Sequence, residues 1–401
     1  AESGEGSIMM ARRCRWVLAG LLLLGAAALA QEECTVAVIA GSATADGRPL
    51  LWKNRDSSFR ENSAAFFHGP RYDFIGVINS GDTTQVWMGV NTAGFALMNS
   101  ESMDQDGDSA DTEGYFMKQA LGECARVEDL DALLRRTALA GRGTRANFGC
   151  IDAAGGAAFF EAGNYRHRKF TPQDSGRVPA GLLVRANFSM TGQGGEAYGG
   201  WRYHRARALL AGRAAAGKLD LAYMLEKVMR DLVSDDLDPY PLPFRSSTGE
   251  APAGFIHAQN TINRHRTVSA VLFQGVRPGE DPALTTMWIL LGEPVAAVAL
   301  PLWPASGEVP PAYGGAGKSR LNAAFTRLRA RLYPDRKRPQ YLDTERLAAG
   351  RRPWVRERTA LESEVLQEAG EAMARWRRQR PAGAEMAALQ KKLLNKVIRA
   401  L

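Results

Sequence analysis

The stretch Cys34-Thr-Val-Ala-Val-Ile-Ala40, Gly41-Ser-Ala-Thr-Ala-Asp-Gly-Arg-Pro49, Leu50-Leu-Trp-Lys-Asn-Arg-Asp56 decides the fold. Its first arm is β-branched and apolar, Ala45-Asp46-Gly47 is turn chemistry, and the second arm is extended and apolar again, so a β-hairpin is predicted. A turn centred near Ala45 pairs residues whose numbers sum to about 90, which sets Cys34 across from Asp56. Lys53 and Asn54 then sit at the same strand end. One turn gathers a thiol, a carboxylate and a cation.

What precedes the hairpin sets its context. Arg12, Arg13 and Arg15 form a basic region, Trp16 to Ala27 an apolar run, and Ala28-Leu29-Ala30 a small-x-small site. That run is short for a spanning helix and has the layout of a cleaved signal peptide over residues 10–30. Residues 1–9 read as a tag or an over-extended start. Cleavage after Ala30 leaves residues 31–33, Gln-Glu-Glu, as a short pro-segment, and two glutamates beside Cys34 argue against a lipid-anchored cysteine. Loss of those three residues makes Cys34 the N-terminal residue. The expected location is the periplasm or the exterior, with no stable membrane anchor.

The remaining chain of about 370 residues suffices for one large domain with an extension. Net charge is +8, but residues 315–401 carry 21 Lys/Arg against 9 Asp/Glu, so residues 34–314 are mildly acidic and the basicity lies in the tail. The tail reads as solvated helices, at Leu321–Leu332, Glu357–Arg380 and Ala384–Leu401, and no nucleic-acid motif accompanies it. Residues 34–310 form the expected main domain and 311–401 a basic helical extension.

Between these limits hairpins alternate with helix pairs. Hairpins are expected at Val86–Asn99, Asn147–Glu161 and Thr267–Leu291, a further strand at Leu182–Asn187, and helices over Tyr115–Arg136, Tyr203–Ala216 and Leu219–Leu232. Segregated antiparallel strands and helix pairs argue for an α+β fold of stacked sheets covered by helices. The acidic run Asp104–Glu113 begins like a calcium loop, but Ser109 and Tyr115 stand where glycine and the bidentate glutamate belong, so it reads as a solvated loop. CxxC and HExxH spacings are absent, and neither metal nor cofactor is expected.

An N-terminal cysteine would hold nucleophile and base in one residue, because an α-amine with a pKa near 8 can take the thiol proton. Asp56 could orient that amine and Lys53 favour the thiolate. An oxyanion needs donors, and Asn99 and Asn187, each at a strand end, are candidates beside a turn or capping role. Arg264 and Arg266, two apart before a strand, are expected on one face, positioned to meet Asp56 or a substrate anion. Phe59, Phe66, Phe67 and Trp201 are candidates for an apolar substrate wall or for core. A Cys–His pair with His257 or His265 is the alternative catalytic arrangement. Of the three cysteines after the signal segment, Cys124 and Cys150 could form a bridge, leaving Cys34 as the reactive thiol.

The Cys34-Thr35 start with Lys53-Asn54-Arg55-Asp56, Asn99-Ser100 after a hairpin, and Val184-Arg185-Ala186-Asn187-Phe188 together resemble the N-terminal nucleophile (Ntn) hydrolases. The branch is the linear-amide group of choloylglycine hydrolases, penicillin V acylases and acyl-CoA:6-aminopenicillanic acid acyltransferases. The resemblance runs from Cys34 to about Pro301. It implies a four-layer αββα sandwich, Cys34 as nucleophile, and Asn99 and Asn187 as oxyanion residues. Lys53 stands where the choloylglycine branch usually has arginine, and either Arg264 or Arg266 answers to the family arginine.

The function expected is a secreted or periplasmic amidase or acylase that cleaves a linear C–N bond of a small N-acyl amide through a thioester. An acyltransferase of the same group is the nearest alternative, and a secreted binding protein with Cys34 in a disulfide is the alternative of another class. The sequence is compatible with a monomer or a homo-oligomer.

Overall fold

In a computed structural model of the chain, residues 33–106, 112–173, 181–247 and 252–401 are described. The tag-like start, the signal segment, Gln31, Glu32, and Asp108 and Asp111 of the acidic run lie outside them. Strands β1 (Glu33–Ile39) and β2 (Leu50–Asp56) form the opening hairpin, followed by β3 (Asn62–Phe67), β4 (Phe74–Asn79), β5 (Met88–Asn91) and β6 (Ala96–Glu101). Helices α1 (Glu113–Glu123) and α2 (Val127–Ala138) lead to β7 (Ala146–Ile151), β8 (Ala157–Ala162), β9 (His167–Phe170) and β10 (Leu182–Arg185). Helix α3 (Gly200–Ala215) precedes β11 (Phe255–His257), β12 (Thr267–Gln274), β13 (Thr286–Leu290) and β14 (Leu300–Leu302). The chain closes with α4 (Arg320–Leu332), β15 (Tyr341–Asp343), α5 (Thr344–Ala348), α6 (Trp354–Trp376) and α7 (Gly383–Ala400).

Two antiparallel sheets carry the architecture. One has six strands in the order β10-β1-β2-β12-β13-β14; the other is a seven-strand meander from β3 to β9. They face each other through contacts of β1 and β2 with β6 and β7. The site of a Cβ on Gly149 of β7 would lie against Val38 of β1, Met98 and Phe159, so the even-numbered side chains of β1 point between the sheets. Both faces of β1 are covered, and its sequence is accordingly a continuous apolar run rather than an alternation.

Helices cover both outer faces. Val127, Leu130, Leu133 and Leu134 of α2 recur at helical spacing. With Leu121 of α1 they bury Phe74, Phe148 and Phe160 of the seven-strand sheet. On the other side α3 packs on β10 and β1, and α6 and α7 pack on β14. The result is the four-layer αββα sandwich, with C-terminal helices present as expected.

The described residues form one compact unit. Val365, Ala369, Met373 and Trp376 of α6 and Met386, Leu393 and Val397 of α7 belong to the same apolar core as Val36, Val38 and Trp52. The basic helices after Pro311 therefore bury one face in the body and expose the other. Among the described residues no helix is long and apolar enough to cross a membrane.

Two expectations are corrected by the backbone. The expected helix over Leu219–Leu232 is a short turn, Leu221–Tyr223, running into a π-helical stretch, Met224–Val228. The carbonyl of the next residue, Met229, accepts from the Asn54 side chain instead of continuing a helix. The opening hairpin also has a different register: Cys34 pairs with Arg55, and Asp56 pairs with Glu33. The connection is a ten-residue loop containing the 3-10 turn Gly41–Ala43 rather than a tight turn at Ala45-Asp46-Gly47. One residue of slip moves every side chain of β2 to the opposite face relative to the expected pairing.

Candidate active site

The hairpin's two faces carry different chemistry. Cys34 and Val36 lie opposite Arg55 and Lys53, with side chains toward the second sheet. Glu33 and Thr35 lie opposite Asp56 and Asn54, with side chains toward the helical layer. Period-two alternation on two paired strands produces this division.

On the face toward the second sheet, the buried Lys53 donates from Nζ to Asn99 Oδ1 at 2.6 Å and to the Trp87 carbonyl at 3.1 Å. An amide whose oxygen is held by a cation turns its nitrogen the other way. Asn99, on β6, is thus held with its oxygen toward Lys53 and its Nδ2 turned away from it. Arg55 donates from Nη1 to Asn62 Oδ1 at 2.8 Å and lies 4.6 Å over the Trp87 ring.

On the other face four charged groups meet. Asp56 Oδ1 accepts from Thr267 Oγ1 at 2.6 Å and Oδ2 from Arg264 Nη1 at 3.1 Å. The same Arg264 nitrogen pairs with Glu33 Oε2. Arg202 Nη2 lies 3.2 Å from that oxygen and donates to Asn187 Oδ1 at 2.9 Å. Arg202 Nη1 donates to the Cys34 carbonyl at 2.7 Å and to Thr35 Oγ1 at 3.1 Å. Asn187 Oδ1 also accepts from the Cys34 backbone N–H at 3.0 Å, while its Nδ2 donates to the Glu101 carbonyl at 3.0 Å.

Burial and charge act against each other here. Burial pushes the Asp56 carboxyl up, and the Arg264 and Arg202 guanidinium groups only partly offset it. Burial would raise Glu33 as well, but Arg264 and Arg202 together outweigh it and hold Glu33 below the usual carboxylate range. Burial and the neighbouring Arg264 lower Arg202.

The structure brings Cys34, Asp56, Asn187 and Arg264 into one hydrogen-bonded group and joins Lys53 to Asn99 behind it. Arg266 is not equivalent to Arg264. The two were expected on one strand face, but Thr267 N–H donates to the Arg264 carbonyl, so residues 264–267 form a turn. Arg264 is turned inward and buried, and Arg266 remains half-exposed. Of the aromatics, Phe59 is exposed. Phe66 packs against the main core, and Phe67 stacks on Phe74 with centroids 4.9 Å apart in the outer cluster. Trp201 is half-buried on α3, next to Arg202.

Among the described residues none of Cys34, Cys124 and Cys150 is in a disulfide, so neither the Cys124–Cys150 bridge nor a disulfide of Cys34 with either of them forms. Cys124 and Cys150 are instead packed in the apolar layer under α1 and α2, where burial pushes the Cys124 thiol up to about 12 and raises Cys150 too. His265 Nδ1 lies 3.3 Å from the Ala258 carbonyl, and burial lowers its pKa to about 4. His257 packs edge-on against Tyr341 in the β11–β15 ribbon.

Arg202 went unread in the sequence, where it passes as one more arginine of an amphipathic helix. The signal available was Gly199-Gly200 before it: Gly199 has φ of +86°, and a Cβ there would collide with the Arg202 guanidinium. Glu33 was read only as part of a segment to be removed.

No family model and no curated protein matches the chain. Solved structures similar to it include the Caenorhabditis elegans ortholog of N-acylethanolamine-hydrolyzing acid amidase, at 14% identity over 63% of this chain and 94% of that one, TM-score 0.40. Penicillin V acylase from Agrobacterium tumefaciens is 13% identical over 67% of this chain and 86% of that one, TM-score 0.41. A variant of conjugated bile acid hydrolase from Clostridium perfringens is 13% identical over 64% and 89%, TM-score 0.38. By their names these are an acid amidase, an acylase and a hydrolase.

Proposed function

We propose that this protein is an amidase of small N-acyl amides, secreted or periplasmic, in which Cys34 becomes N-terminal and serves as nucleophile. The observation that carries the reading is the hydrogen bond from the Cys34 backbone nitrogen to Asn187 Oδ1. Once the Glu33–Cys34 bond is cut, that nitrogen is an amine already held by an acceptor, beside its own thiol. The amine takes the thiol proton, and Sγ attacks the amide carbonyl carbon. Asn99 Nδ2, oriented by Lys53, would donate to the developing oxyanion. The C–N bond breaks as the α-ammonium returns its proton to the leaving nitrogen, leaving a thioester on Cys34. Water then adds to the thioester carbonyl, and the thiolate leaves as the free acid forms. Arg202 fixes the first residue through its carbonyl, which keeps a new chain end from fraying.

The test is intact mass and amine release together. Purified active protein should begin at Cys34 and release amine from a panel of N-acyl amides. Cys34→Ala should do neither and should retain Gln31 to Glu33. Active protein that still carries Gln31 sinks the proposal.

A further inference from the structure

Glu33 is held more tightly than a residue due for removal needs to be. Its carboxylate sits between Arg264 and Arg202, whose side chains are 3% and 1% exposed, while Glu33 itself is 27% exposed. In this cluster two guanidinium groups face two carboxylates, Glu33 and Asp56. Both arginines stay when Glu33 leaves. Arg264 is tied to Asp56 and to the Gln259 carbonyl, and Arg202 to the Cys34 carbonyl and Asn187. Arg266 adds to the positive field at the same carboxylate. Processing therefore leaves two buried guanidinium groups with one carboxylate, and a buried charge that loses its partner favours taking another anion.

We propose that the place of the Glu33 carboxylate is, in the processed protein, a binding site for a carboxylate on the acyl half of the substrate. Preferred substrates are then mono-amides of short dicarboxylic acids. The inference rests on the reading of Cys34 as nucleophile, because it makes Glu33 the acyl half of the first bond cut. Counting from the attacked carbonyl of Glu33 through Cα, Cβ and Cγ to its carboxylate gives the spacing of a glutaryl group. A glutaryl amide reproduces both ends of that segment without the backbone, and its chemistry is the cleavage already described.

The experiment compares glutaryl and pentanoyl amides of one neutral chromogenic amine on the processed wild-type protein, with the glutaryl methyl ester and an N-pentanoyl amino acid as further arms. Calorimetry with free glutarate accompanies it, on the processed protein and on the unprocessed Cys34→Ala chain. The expected result is a preference for glutaryl of about tenfold or more in kcat/KM, the order that one charge-assisted hydrogen bond supplies. The preference should lie mainly in KM and vanish in the methyl ester. Glutarate should bind the processed protein and not the unprocessed chain, where Glu33 fills the site. Amine release with pentanoyl as good as glutaryl, or with the anion favoured on the amine half, overturns the carboxylate site and leaves the amidase standing. No release from any amide but glutarate binding to the processed protein keeps the site and overturns the amidase. A chain that never loses Glu33, or that shows neither release nor binding, overturns both.

Discussion

The backbone nitrogen of Cys34 and the side-chain oxygen of Asn187, 153 residues apart in sequence, are joined by a 3.0 Å hydrogen bond. The same oxygen accepts from Arg202, and the Asn187 amide nitrogen is spent on the Glu101 carbonyl. Under the proposed function Asn187 orients the Cys34 nitrogen, and the oxyanion donor falls to the Asn99 amide, whose oxygen is held by Lys53. Asn187→Ala should lower kcat on the order of 10²-fold, the usual cost of misplacing a reacting group by an ångström. Asn187→Asp keeps the acceptor and should recover part of the loss. If Ala and Asp variants lose activity equally, orientation of the nitrogen is not the function of Asn187.

Asn99→Ala should cost about 10²–10³ in kcat, as removal of an oxyanion donor does. Lys53→Met should show much of the same loss with little change in KM, because without the cation the Asn99 amide can turn either way. The double variant should then be barely worse than Asn99→Ala alone. Additive losses would place Lys53 and Asn99 in separate functions.

Asp56 and Arg264 form a buried pair, and Arg264 also pairs with Glu33, the carboxylate that the proposed processing removes. Asp56→Asn should destabilise the processed protein by about 3–5 kcal/mol, the cost of stranding a buried charge. The unprocessed Cys34→Ala chain should lose less, since Glu33 still faces Arg264. Equal losses in urea unfolding of the two forms would refute this sharing of Arg264.

Glu33 is held below its usual value of 4.5 in the folded, unprocessed chain. Its stabilisation is present in full above the unfolded value and is lost as pH falls through the lower folded value. The urea midpoint of Cys34→Ala should exceed that of Cys34→Ala/Glu33→Gln at neutral pH, and the gap should close in acid. A gap independent of pH would mean that the charge of Glu33 does not matter.

Cys124 and Cys150 are buried and raised, so neither forms thiolate readily at neutral pH. The processed protein should consume one equivalent of iodoacetamide, at Cys34, with amidase activity lost in step. Faster labelling of Cys124 or Cys150 would contradict the packing under α1 and α2.

The layered fold was legible because β-branched runs, turn residues and helical periodicity are local signals, and they agree along the chain. Cys34, Asp56, Asn187 and Arg264 were legible as strand-end residues of reactive type. The register of the hairpin was not: Gly41–Ala43 folds into a 3-10 turn that composition does not distinguish from plain loop, and one residue decides which face Asp56 takes. Arg202 was hidden for a different reason. Its contact is with a carbonyl 168 residues away, and its helix carries other arginines with unrelated partners, such as Arg205 on Asp231.

The shared core has a consequence in time. Glu362 of α6 pairs with the buried Arg230, whose neighbour Met229 anchors Asn54 beside the Asp56–Arg264 pair. Trp376 of α6 lies edge-on to Trp303 at 5.1 Å, in the same core as β1 and β2. The ribosome makes Cys34 well before α6 and α7; at 5–20 residues per second the interval is roughly 20–70 s. Through that interval the six-strand sheet lacks part of its outer cover, and Arg230 lacks Glu362. Under the proposed function, cleavage before Cys34 would wait for α6 and α7, and a chain cut short before them should stay inert.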